Sequence, residues 1–190
     1  MGRWEPDARL RLVSAAVDLC AAQGYDATTV AQIAARAGLT KATFFRHFPD
    51  KREVLFAGQE AHSALLAEGI AAAPAGATPL EAVAAGLDTL TATFVPEQRE
   101  FGPRLLAVIA ANPELQERDA FKRAGLAAAM ATALHARGVP DPAASLAADL
   151  GVEAFHRAFS RWTGEPDGRA FPDVARETLA DLRRALTTLE

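Results

Sequence analysis

Four histidines, one cysteine and a cluster of basic and hydroxyl side chains are the groups whose types and spacing could do chemistry in this chain. His47, His62, His135 and His156 form no i, i+4 pair and no HExxH motif, so no helix-borne metal site is indicated. Cys20 stands alone, which excludes an internal disulfide framework and a cysteine-based zinc site. The sequence has no G-x-S-x-G elbow, no glycine-rich phosphate loop and no Cys–His nucleophile signature. No enzyme activity, cofactor or metal is therefore expected. What remains is the chemistry of binding a polyanion. Within residues 36–52, Arg36, Lys41, Arg46, Lys51 and Arg52 face only Asp50, a local net charge of +4 in a chain whose total is −4. Basic charge need only be local for a nucleic acid to be bound.

The elements that position this cluster read as helices. The chain of 190 residues holds 45 Ala and 21 Leu against 3 Ile, and Ala enters a helix at the lowest cost. An all-α fold follows. A first helix is expected over about 7–23, with Pro6 in its first turn, Cys20 on its apolar stripe and Gly24 as its stop. Thr29 and Gln32 form a capping box opening a short helix over about 30–37. Gly38-Leu39-Thr40 is a tight turn, and Thr40 caps a third helix through 47 with Phe44 and Phe48 stacked at i, i+4. Pro49 ends it, and Asp50 to Glu53 open a fourth helix expected to run unbroken from 51 to about 72.

Helix, tight glycine turn, helix is the architecture of a helix-turn-helix DNA reader, whose second helix enters the major groove. Its first residues here are Thr40, Lys41, Ala42 and Thr43. Lys41 suits guanine acceptors and a threonine hydroxyl serves either base type. Arg46, His47, Lys51 and Arg52 are placed for phosphates, which supply affinity without sequence information. Thr28 and Thr29, opening the preceding helix, offer hydroxyls and N–H groups to a phosphate. Short capped helices around a glycine turn also occur in proteins that bind no DNA. Spacing alone leaves two readings open, a DNA reader and a helical small-molecule-binding protein or enzyme.

Residues 24–55, GYDATTVAQIAARAGLTKATFFRHFPDKREVL, resemble the signature of the TetR family of bacterial transcription regulators. Gly24, Thr28-Thr29-Val30, Ile33-Ala34, Ala37-Gly38, Thr43 and His47-Phe48 followed by Lys51 carry the resemblance. It implies a homodimer with an N-terminal DNA-binding domain, here 1–50, and a C-terminal effector-binding and dimerisation domain, here 51–190. It further implies a ligand-responsive repressor released from a pseudo-palindromic double-stranded operator by a small effector. Ala42 stands where the family often has Gly, and Phe45 where it often has Tyr. Phe45 has no hydroxyl, so a phosphate contact made through that Tyr does not transfer.

Beyond residue 72, helices are expected at about 79–95, 98–111, 113–137, 142–163 and 172–189, nine in all. Ala148, Val152, Phe155, Phe159 and Trp162 follow an a/d spacing, as do Ala175, Leu179, Leu182, Leu186 and Leu189. Leu146, Leu150, Ala154 and Ala158 add a second apolar face to the first of these helices. Such stripes serve either a monomer core or a four-helix dimer interface. The resemblance implies dimerisation through these last two helices, which makes Val152, Phe155, Phe159, Leu179, Leu182 and Leu186 the expected interface. Phe94, Phe101, Phe121, Met130 and Trp162, with Arg104, His135 or His156 as polar anchors, are candidates to line an effector pocket. Plain core is the other reading of those aromatics. Residues 100–162 are also similar to mycofactocin-system regulators, which implies an apolar, acyl-CoA-like effector. No apolar run reaches the ~18 residues of a membrane span, and MGRWEPDARLRL has no secretory apolar stretch. No membrane partner and a cytoplasmic location are expected.

Overall fold

The computed structural model describes residues 8–165 and 168–188. Among them are ten helices and no strand: α1 (Ala8–Gln23), α2 (Val30–Arg36), α3 (Lys41–His47), α4 (Lys51–Leu55), α5 (Gln59–Ala72), α6 (Pro79–Thr91), α7 (Pro96–Ala110), α8 (Pro113–Ala136), α9 (Ala143–Gly164) and α10 (Phe171–Thr187). No described helix is long and apolar enough to cross a membrane. The expectations placed on Pro6 and Leu189 lie outside the described residues.

Local chemistry sets most helix ends. The Thr29–Gln32 capping box opens α2, and Thr78 with Glu81 forms a second box at α6. Thr40 accepts from the Thr43 N–H at α3, and Asp50 accepts from the N–H groups of Arg52 and Glu53 at α4. Each cap satisfies backbone donors that have no partner within the helix. The two hydrogen bonds at Thr78 hold the Glu81 carboxyl below the usual carboxylate range. Gly24 at φ +87° and Gly138 at φ +83° follow α1 and α8 in the left-handed region that a glycine enters without steric cost.

The fourth helix differs from its expected course. Instead of one helix over 51–72, α4 ends at Leu55 and α5 begins at Gln59. The reason is Gly58, which sits at φ +99° and cannot continue a right-handed helix there. The tenth helix comes from this break.

The chain divides into two compact units: residues through Ala57 with Pro103–Asp119, and Gly58–Gly102 with Ala120 onward. In the first, Leu12, Ala16, Val17, Ile33, Phe44, Val54 and Leu115 are fully buried. In the second, Leu66, Ile70, Val83, Leu87, Leu90, Met130 and Leu134 are the centre of one continuous core. There α5 and α6 pack backbone to backbone. A Cβ on Gly69 would stand 2.6 Å from the Ala85 carbonyl oxygen and 2.7 Å from the Gly86 Cα. Small residues thus do in this bundle what Leu does elsewhere, trading side-chain area for close approach.

The a/d stripe of α9 and α10 is spent largely within this unit. Val152, Phe155 and Leu179 are buried in the core, Phe159 and Leu182 are half-buried against it, and Leu186 is 41% exposed. On the second face of α9, Ala154 and Ala158 are likewise fully buried, whereas Leu146 is 59% exposed. Apolar periodicity marks a buried seam without saying whose surface covers it.

Candidate nucleic-acid interface

The turn between α2 and α3 is built by three donors. Gly38 donates to the Ala35 carbonyl at 3.0 Å and Leu39 to the Ala34 carbonyl at 2.8 Å. Gly38 adopts φ +68° to allow this. Arg11, from α1, donates through its guanidinium to the Ala37 carbonyl. Below the turn, Phe44 and Phe48 are buried with ring centroids 5.6 Å apart, which sets the roll of α3. Lys41, Ala42, Phe45 and Arg46 consequently stand on its exposed side.

The predicted DNA-contacting residues divide into those displayed and those already engaged. Thr40 and Thr43 share one hydroxyl hydrogen bond at 3.0 Å, while the Thr40 oxygen also caps α3. Thr29 donates its N–H (2.8 Å) and its hydroxyl (2.9 Å) to Gln32 Oε1. Thr28 is buried and donates its hydroxyl to the Gly24 carbonyl at 2.8 Å, so it closes the α1–α2 loop and presents no hydroxyl to a phosphate. Lys51 donates from Nζ to the Tyr25 carbonyl at 2.8 Å and lies 3.9 Å from the centroid of the Tyr25 ring. His47 is half-buried, and its Nε2 has no hydrogen-bond partner among the described residues.

Ion pairing sorts the basic cluster further. Arg36 pairs with Asp18 at 3.3 Å, and Arg52 pairs with Asp50 at 3.5 Å and Glu114 at 3.2 Å. Of the five cations at 36–52, Lys41 and Arg46 have neither an acidic nor a carbonyl partner among the described residues. Both are exposed. This short helix therefore displays two uncompensated cations, with Phe45, 48% exposed, between them in sequence, an arrangement that could take a phosphate backbone.

The same unit holds residues that no sequence motif marks. Glu53 accepts from Arg118 Nε at 2.8 Å, and Asp18 accepts from Arg104 at 3.1 Å. Tyr25 is buried, and the loss of solvent pushes its phenol up to about 12, with Glu114 adding to the effect. Burial likewise raises the Cys20 thiol, against a hydrogen bond with Thr28. Arg11, Tyr25 and Arg118 carry no local signal, because their partners lie 26 to 65 residues away.

Of the residues expected at an effector pocket, Met130 and Trp162 belong to the core of the second unit and Phe94 packs against it. Phe94 and Trp162 meet edge to face at 6.2 Å, inside an aromatic cluster where Trp162 stacks on Phe171 at 4.7 Å. Met130 is fully buried beneath Gly151, and Phe101 is buried as well. Phe121 is 66% exposed. His135 Nε2 lies 3.3 Å from Asp141, and Arg104 belongs to the first unit. An open groove of about 730 Å³ lies instead between α5 and α8, lined by Ala64, Ala67, Ala71, Ala128 and Ala133, with Ser63, Thr132 and Arg137 among its polar groups. Arg137 is held there by the Ala73 and Pro74 carbonyls at 2.8 and 2.6 Å.

Known proteins share parts of this sequence and its fold. Residues 12–57 match the family of bacterial regulatory proteins named tetR. Over 75 residues the chain is 40% identical to the HTH-type transcriptional regulator TcmR of Streptomyces glaucescens, a match spanning 40% of this chain and 33% of that protein. Among solved structures, Salmonella enterica GusR is similar with a TM-score of 0.55 at 18% identity, covering 95% of this chain and 98% of that one. Bacillus subtilis FadR, solved in complex with stearoyl-CoA, gives 0.55 at 19% identity over 90% and 95%. At such identities the likeness concerns the fold. Residues 12–57 are thus similar to the tetR family of bacterial regulatory proteins, and the remainder of the chain shares the fold of the solved structures.

Proposed function

We propose that the whole chain is a cytoplasmic, dimeric, effector-responsive repressor that binds a pseudo-palindromic operator. The observation that carries the reading is the exposed face of α3, where Lys41 and Arg46 stand uncompensated above a capped glycine turn. Half-sites spaced by about one DNA turn, ~34–36 Å, suit two recognition helices related by a two-fold axis. Dimerisation through α9 and α10 is supported by Leu146 and Leu186, the two large apolar side chains that these helices leave exposed. An apolar effector is supported by the alanine-lined groove of the second unit. Stearoyl-CoA is the ligand of FadR, which shares the fold, so long-chain acyl-CoA is the first effector to test.

If an effector binds the DNA-free state more tightly, reciprocity requires DNA to weaken effector binding by the same factor, typically ~5–150-fold. A mobility-shift assay against the chain's own upstream DNA, with sedimentation at micromolar concentration, tests the core of the proposal. A discrete shifted band and a dimer are expected. A clean monomer, or no preference over random DNA, would sink it. Titrating palmitoyl- and stearoyl-CoA with and without saturating DNA tests the switch, and equal affinities would refute it.

A further inference from the structure

The exposed face of α3 presents an apolar ring where a phosphate-binding side chain would be useful. Phe45 is 48% exposed on the helix that presents Lys41 and Arg46. A phenyl ring has no donor for a phosphate oxygen, and its electron-rich face repels an anion. Its inner edge is fixed: it meets the buried Phe44 ring at 5.5 Å and 83°. Lys41 Nζ lies 5.8 Å from its centroid, so one side of the ring carries a cation while the rest faces outward. Ala42, also exposed, lies one turn earlier on the same side of the helix. The face thus combines two cations for the backbone with an apolar ring between them.

In the major groove the thymine C5-methyl is the apolar group that a base edge offers, and Phe and Ala are side chains suited to it. We propose that Phe45, with the Ala42 methyl beside it, reads a thymine C5-methyl in each half-site and is thereby a specificity-determining residue. The proposal rests on α3 being the DNA-reading helix. It assigns to the ring base discrimination, with no share in phosphate binding.

The operator is found in the course of the test. Full-length protein selects duplexes from a randomised pool, and the selected duplex is resynthesised with deoxyuridine replacing each thymine in turn, which removes only the methyl. Binding is measured by fluorescence anisotropy for the wild type and for Phe45→Ala. The wild type is expected to lose about fourfold for each contacted methyl, the effect of one buried methyl group, at one thymine position per half-site. Phe45→Ala is expected to bind thymine and deoxyuridine duplexes equally there, with the salt dependence of the wild type. Phe45→Tyr, which keeps the ring, is expected to keep the discrimination.

A selected half-site without thymine, a wild type indifferent to every deoxyuridine, or a Phe45→Ala protein still sensitive at the same position would overturn the proposal while leaving DNA binding intact. Recovery of no duplex from the pool would overturn the reading of α3 and this proposal with it.

Discussion

Replacing Gly38 by Ala perturbs the turn on which the reading face depends, and its cost divides into separable parts. Gly38 sits at φ +68°, where an L-residue pays about 1–2 kcal/mol. The new methyl reduces unfolded-chain entropy, which returns about 0.4–1 kcal/mol. Gly24→Ala, at φ +87° with nothing within 4 Å of an added Cβ, incurs these same two terms and no other. At Gly38 the added Cβ stands 2.9 Å from the Arg11 guanidinium, which donates to the Ala37 carbonyl. Moving that side chain costs about 1 kcal/mol for the hydrogen bond.

The expected losses are therefore about 2 kcal/mol for Gly38→Ala and about 1 kcal/mol for Gly24→Ala. Urea unfolding followed by far-UV circular dichroism measures both. In an Arg11→Ala background the two substitutions are expected to cost the same, because the bond that separates them is gone. The reasoning is refuted if Gly38→Ala lies within about 0.5 kcal/mol of wild type, the range of an ordinary surface change. It is also refuted if the gap between the two glycines survives the loss of Arg11. DNA affinity is expected to fall for Gly38→Ala more than for Gly24→Ala, since Gly38 joins α2 to α3.

Lys51→Ala removes the 2.8 Å bond to the Tyr25 carbonyl and the contact with its ring, so about 1–2 kcal/mol of stability should be lost. Arg46→Ala should leave stability unchanged and lower the slope of log affinity against log salt by about one per phosphate contact; a reversal of these two outcomes by mobility shift and denaturation would exchange the roles. Tyr25 is the chain's one tyrosine, so absorbance at 295 nm reports it alone; its ionisation is expected at about 12 while circular dichroism stays helical. Its folded pKa lies above the unfolded value of about 10, so the stability it contributes is complete below pH 10 and lost as pH rises through 12; a midpoint near 10 in the folded protein would contradict its burial. Gly69→Ala drives a methyl against the α6 backbone and should cost about 1–3 kcal/mol by calorimetry or urea, with DNA binding by the first unit unaffected.

What the sequence alone determined lies within a few residues along the chain. The Thr29–Gln32 box, the Thr40 and Asp50 caps and the Gly24 and Gly38 turns were all legible, because each is a contact between a side chain and a backbone group, or a turn of the backbone, within five positions. The stacking of Phe44 on Phe48 followed from helical spacing. The break at Gly58 was legible in principle, as a glycine inside a helical pattern, but a glycine is also tolerated there and only its φ of +99° decides.

Tertiary structure decided the rest. It spent Lys51 on Tyr25, Arg36 on Asp18 and Arg52 on Glu114, leaving Lys41 and Arg46 of a five-cation cluster that looked uniform in sequence. It buried Val152, Phe155 and Leu179 in the core of the second unit, together with Met130 and Trp162, two of the residues whose chemistry had suggested a pocket. The physical reason is common to all of these. Periodicity and residue type say that a group must be buried or paired, and its partner, tens of residues away, is chosen by how the helices pack.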